Sequence, residues 1–306
     1  MHTWIPATAV GCLTIAAILY SKPNIGTSVV RVEQLGLEGH IDYIRYASRA
    51  YGVDVGTPFH RRWLVPLLLA KKPDRMWRWM TYASLLALAP LITSYAAGPW
   101  WAAVLLLMSL PIVRHNIVYH GFVDPPAMAL ALGAAVAWKA GHAWLAVVLS
   151  LLSGATKETG PVFAACYALA PELLVGLLAV QWWPQRGATL ALPNISGSGQ
   201  QFVGPFWHAI RAIRQAGAHQ FFMPSNKLFP WGALAILAPW QFRNDSLTLS
   251  AALSLAIGYA QCIIATDNAR IYQWAAPPVV ALACQHDPRV LAVACVLHWF
   301  NNAQSI

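Results

Sequence analysis

Nine apolar runs follow one another along this chain, near residues 4–20, 79–97, 100–118, 124–138, 142–155, 160–182, 246–265, 271–285 and 290–303. Each matches or falls somewhat short of the ~20 residues that a helix needs to cross a bilayer. Phe229–Phe242 is a candidate tenth. With 58% of residues hydrophobic and 10% charged, against roughly a quarter charged in soluble domains, the chain cannot cover a water-facing surface. The expected fold class is therefore all-α: a polytopic transmembrane helical bundle of nine to ten spans, with residues 1–306 forming one integral-membrane domain. The shorter runs imply tilt, re-entrance or mutual burial. The first run lacks a basic leader and a clear cleavage site, so it reads as a retained helix rather than a signal peptide.

The charges have their own pattern. Net charge is +9, but the basic residues stand singly or in pairs between apolar runs, which argues against nucleic acid and for anionic lipid or a lipid phosphate. Residues 21–78 form a polar first loop with ten of the twenty Lys+Arg and five of the eleven Asp+Glu. Within it, Ile41, Tyr43, Ile44, Ala47, Ala50 and Tyr51 recur at helical spacing, and Trp63–Ala70 makes a second short apolar run. Two juxtamembrane helices joined by the turn-prone 52–58 segment are expected there. Residues 181–229 form a second polar loop with a basic amphipathic piece at 206–216, expected to lie at the interface. The five cysteines sit in or beside apolar runs without C-x-x-C spacing and read as small buried hydrophobes.

Acids are scarce, so each position is informative: a carboxylate at the edge of hydrocarbon must be paired, solvated or functional. Asp42 falls on the first interfacial helix, where it can ionise and take a proton from an acceptor hydroxyl; the plainer reading pairs it with Arg45 or Arg49. The run Thr57-Pro58-Phe59-His60-Arg61-Arg62-Trp63 sets forked cationic donors beside an interfacial aromatic, or simply anchors the flank of a membrane segment. His115, His120 and Asp124 are a candidate divalent-cation set, with Asp42 a further candidate ligand, although an N-cap role is the ordinary explanation of Asp124. Lys157-Glu158 breaks two apolar runs, and Asp267-Asn268-Ala269-Arg270 stands at another boundary. No nucleotide-binding, zinc-protease or serine-hydrolase motif is present in the sequence.

Taken in order, D-x-x-x-Y-A (Asp42 to Ala47), P-F-H-R-R-W-L-V-P-L-L (58–68), V-D-P-P-A (123–127), T-K-E-T (156–159) and D-N-A-R followed by A-P-P (267–278) form a set that resembles the GT-C superfamily of integral-membrane glycosyltransferases, especially its small bacterial members. The likeness covers most of residues 1–285. It implies an inverting transfer of sugar from a polyprenyl-phosphate carrier to an acceptor hydroxyl. It places the general base at Asp42, the donor-phosphate cations at Arg61, Arg62, Lys157 and Arg270, and a second acid at Asp124; Glu38, Tyr46, His60, His115, His120, Glu158 and Asp267, in or beside the same segments, complete the candidate site. A divalent cation is optional in such chemistry. The chain departs from the family's frequent adjacent acids in the first loop and lacks a large soluble C-terminal domain.

Membrane lipids and a polyprenyl-phosphate sugar are thus the expected partners, in a bacterial-type inner or plasma membrane with the active face outside. Simple positive-inside counting favours the opposite orientation. Two other classes fit the charge placement: a transporter or flippase of a lipid-linked precursor, which would show paired halves, and a non-catalytic membrane subunit.

Overall fold

The computed structural model describes residues 3–21, 29–49, 62–68, 74–110, 113, 116–117, 122–180, 231–264 and 273–300. Helices dominate them: α1 (Trp4–Ser21), α2 (Ile41–Arg49), α3 (Leu64–Leu68), α4 (Asp74–Tyr95), α5 (Trp100–Ser109), α6 (Asp124–Lys139), α7 (Ala143–Thr156), α8 (Gly160–Ala168), α9 (Leu234–Leu237), α10 (Ser246–Ile264), α11 (Ala276–Ala283) and α12 (Pro288–Phe300).

The apolar runs do become helices: those at 4–20, 79–97, 124–138, 142–155 and 246–265 keep about their expected length, while those at 100–118, 160–182 and 271–285 are cut short. Among the described residues, no helix is long and apolar enough to cross a membrane. The backbone explains several of the truncations. In the run 100–118, the helix stops at Ser109, just before Leu110-Pro111, because the residue preceding proline is pushed out of the helical region. In 160–182, α8 ends where Leu169 turns left-handed at φ 53°, and a 3-10 stretch over Pro171–Ala179 replaces the expected continuous helix. The candidate tenth span reduces to the four-residue α9 and a 3-10 turn at Pro239–Gln241. Apolar composition reports burial, while these breaks set length. The second polar loop, 181–229, lies outside the described residues up to its end.

The first loop also differs from an all-helical expectation. Before α2 comes an antiparallel hairpin of β1 (Val29–Val32) and β2 (Leu37–His40), registered by Arg31 opposite Glu38 and Val32 opposite Leu37. Three valines in β1 favour an extended chain, and Gly36 closes the connection at φ 63°, which glycine adopts without strain. The expected amphipathic helix is present as α2, with Tyr43, Ile44, Tyr46 and Ala47 buried. Its apolar face packs on protein, against Val32, Val65, Trp77 and Val123. Trp77 anchors it, edge-on to Tyr43 at 5.6 Å and stacked on Tyr46 at 6.4 Å.

At the centre runs α6, buried at twelve of its 16 residues, as expected of a helix apolar on all sides. It packs on α4, α7 and α8, and its alanines permit close approach. The 3-10 stretch reaches α7 equally closely: a methyl at Gly154 would collide with the Gly176 carbonyl, and one at Gly176 with Ser150. Helix directions alternate, which defines two ends. At one end, the turns 96–99, 140–142 and 284–287 come together: Lys139 lies 4.0 Å over the Tyr95 ring, Trp4 Nε1 donates to Ser94 Oγ at 3.0 Å, and Gly98 abuts Cys284. At the opposite end, the hairpin, α2 and α3 meet the start of α6 and the α7–α8 turn.

A candidate site built on two crossed ion pairs

The polar end is organised by the dipeptide Lys157-Glu158, which leaves α7 in extended conformation at Lys157 (φ −157°, ψ 131°). Neighbouring side chains on an extended chain point opposite ways, so the cation and the anion reach different partners. Lys157 Nζ bonds to Asp124 Oδ1 at the first residue of α6. Glu158 accepts a two-pronged contact from Arg62, Nε to Oε2 at 2.9 Å and Nη2 to Oε1 at 2.7 Å. The third guanidinium nitrogen, Nη1, donates to the Tyr46 hydroxyl at 2.5 Å. That contact ties α2 to the bundle.

The first pair is almost sealed from solvent, with side-chain exposures of 7% for Lys157 and 1% for Asp124. Charges this deep need further hydrogen bonds to offset desolvation. Trp274 Nε1 supplies one, donating to the same Asp124 Oδ1 at 3.1 Å, and Lys157 Nζ lies 5.5 Å from the Trp274 ring centroid. Trp274 is itself held by stacking on Phe163 at 5.4 Å and by the Tyr167 hydroxyl, which donates to its carbonyl. Next to it, Asn116 Nδ2 donates to the buried Gln273 Oε1 at 2.8 Å.

The second pair is more open, Glu158 being 24% exposed. Burial pushes its carboxyl up, but the Arg62 charge and hydrogen bonds, with Lys157 adding to them, outweigh burial and hold it down at about 2. Burial opposes the Arg62 charge in turn, and Glu158 with Tyr46 more than restores it, so the guanidinium stays protonated above its ordinary range. A carboxyl lower in the folded chain than the ~4.3 of a free glutamate stabilises the fold above that value. This stabilisation is lost as pH falls through the window from about 4 to about 2. Acid titration of unfolding should therefore show a loss of about 2 kcal/mol over that window, and Glu158→Gln should remove this pH dependence. An unchanged acid limb in that variant would show that the pair contributes nothing.

Of the residues singled out from sequence, Tyr46, Arg62, Asp124, Lys157 and Glu158 converge here. Asp42 stands one helical turn before Tyr46 at the start of α2, and its side chain lies outside the described residues, as do Arg61, Arg270, His60, His115, His120 and Asp267. Glu38 is exposed on β2 of the hairpin. Two expectations change. Arg62 and Lys157, read as cations for a lipid phosphate, each carry a carboxylate partner in the fold. Asp124, read as a helix cap or metal ligand, accepts from Lys157 and Trp274 through Oδ1, and the residue preceding the helix, Val123, makes no side-chain cap. Among the described residues, no three His, Cys, Asp or Glu side chains are grouped to hold a metal ion.

Trp274, Gln273 and Asn116 are members that the sequence reading passed over. Local signals existed: Trp274 lies between D-N-A-R and A-P-P, and Asn116 follows Arg114-His115. Neither signal identifies a partner. No protein family, curated protein or solved structure matches the chain.

Proposed function

We propose that the chain is an integral-membrane glycosyltransferase of GT-C type, using a polyprenyl-phosphate sugar as donor. The observation that carries this reading is the convergence at one end of the bundle of Tyr46, Arg62, Asp124, Lys157-Glu158 and Trp274, drawn from five separate segments. Tyr46, Arg62, Asp124 and Lys157-Glu158, members of four of the motifs that give the chain its likeness to that superfamily, thus meet in space. The membrane setting is supported by the large apolar side chains left on the surface, including Ile5 at 82%, Leu13 at 71%, Leu178 at 79% and Ile236 at 67% exposure.

In this reading, the acceptor hydroxyl gives its proton to the Asp42 carboxylate while its oxygen attacks the anomeric carbon. The bond from that carbon to the phosphate oxygen breaks, and the polyprenyl phosphate leaves with the electron pair. Its charge is met by Arg61 and Arg270. Arg62 and Lys157, neutralised by Glu158 and Asp124, form a rigid frame with no net charge that holds α2, and hence Asp42, against the bundle.

The test is transfer of radiolabel from polyprenyl-phosphate sugars by the purified protein in liposomes with a membrane-extract acceptor. Asp42→Asn should slow transfer by at least about 100-fold while leaving the unfolding midpoint unchanged. Undiminished transfer would remove Asp42 as base. Labelled donor crossing the bilayer uncleaved would replace the enzyme reading with a transporter.

A further inference from the structure

At the end of the bundle far from the ion pairs, tryptophans collect. Trp4 opens α1, Trp100 and Trp101 open α5, Trp138 closes α6, Trp144 follows the start of α7, and Trp240 lies in the 3-10 turn after α9. Trp4, Trp144 and Trp240 are 45%, 72% and 79% exposed. Exposed indoles gathered at one end of a helical bundle suit the depth of lipid headgroups, where an amphipathic side chain has both apolar and wet surroundings.

From the same level a groove runs back along α12. It has a volume of about 620 Å³ and lies between α9 and α12, with Ile236 and Leu237 on one wall and Val290, Val293 and Leu297 on the other. His286 holds the walls together, its Nε2 lying 2.8 Å from the Leu237 carbonyl oxygen. Arg289 is the charged side chain among the described residues lining it, and it stands at the tryptophan end. From Arg289 to Leu297, the groove follows the helix for about 12 Å. The nearby carboxylate of Asp287 is engaged through Oδ1 by the backbone N–H of Arg289 at 2.8 Å.

We propose that this groove binds one acyl chain of an anionic phospholipid, with Arg289 holding the phosphate. The volume falls within the range of small-ligand sites. An apolar trough with one forked cation at its headgroup-level mouth complements a molecule that is apolar along its length and anionic at one end. The high exposure of Ile236, Val293 and Leu297 (67%, 59% and 61%) leaves the trough open sideways, so a chain can enter from the bilayer without the helices parting. The proposal stands apart from glycosyl transfer, because neither wall belongs to the Asp124 cluster.

Native mass spectrometry of the detergent-purified protein tests it, titrating phosphatidylglycerol and phosphatidylcholine with identical acyl chains. The wild type should take up phosphatidylglycerol about tenfold more tightly. Arg289→Gln should bring the two lipids to parity. Val293→Trp, which fills the trough from an exposed position, should weaken both, and Ile236→Trp does the same from the opposite wall if the first variant folds poorly. Equal affinity for the two lipids in the wild type overturns the proposal, as does selectivity that survives Arg289→Gln. A dimer that Val293→Trp dissociates, with lipid uptake unchanged, would assign the groove to a second copy of the chain. Transfer activity in Arg289→Gln should stay at the wild-type level, so failure of the groove and failure of the enzyme reading are separately visible.

Discussion

Asp124→Asn is expected to lower the unfolding free energy by about 3–5 kcal/mol, because it leaves the Lys157 ammonium buried without its counter-charge. Lys157→Met should cost a similar amount by leaving the Asp124 carboxylate with the Trp274 indole N–H as its described remaining donor. The combined variant, Asp124→Asn with Lys157→Met, has no buried charge at either position. It should therefore lose much less than the sum of the two single effects. Denaturant titration in detergent, followed by helical circular dichroism, measures all four corners of this cycle. A coupling energy under about 0.5 kcal/mol would mean that the two groups are solvated or separately paired, and the site as described would be wrong.

The second large effect belongs to Trp274. Trp274→Ala removes a fully buried indole that stacks on Phe163, lies beside the Lys157 ammonium and donates to Asp124. The cavity and the lost contacts together should cost about 3–5 kcal/mol. Trp274→Phe keeps most of the stacking and volume but deletes the N–H. Its smaller loss, about 1–3 kcal/mol, isolates the hydrogen bond to the carboxylate. If phenylalanine and alanine are equally damaging, the hydrogen bond dominates; if phenylalanine is neutral, the indole acts by packing alone and Asp124 depends on Lys157 for its charge balance.

These two variants probe different kinds of information in the chain. Tyr43, Ile44 and Ala47 recur at helical spacing, and α2 buries that face as the period requires. What it packs against could not be read, because a lipid surface and the side chain of Trp77 impose the same apolar stripe. The break inside the run 160–182 was equally hidden. A left-handed Leu169 and the 3-10 geometry of Pro171–Ala179 arise from packing against α7, where Gly154, Gly176 and Ser150 bring two backbones together. The hairpin before α2 was missed because short strands rich in valine look like any other apolar interval.

Composition and order alone determined that this chain buries apolar helices against one another, and that charged residues such as Arg62, Asp124, Lys157 and Glu158 stand at or beside helix ends. The partners were decided by tertiary structure. Lys157 meets Asp124 across 33 residues of sequence, Arg62 meets Glu158 across 96, and Trp274 reaches Asp124 across 150. Periodicity carries information over a few helical turns, whereas pairing over these separations depends on which helix ends the packed core brings together. For that reason, Arg62 and Lys157, which look available to a phosphate when read along the chain, each carry a carboxylate partner in the fold.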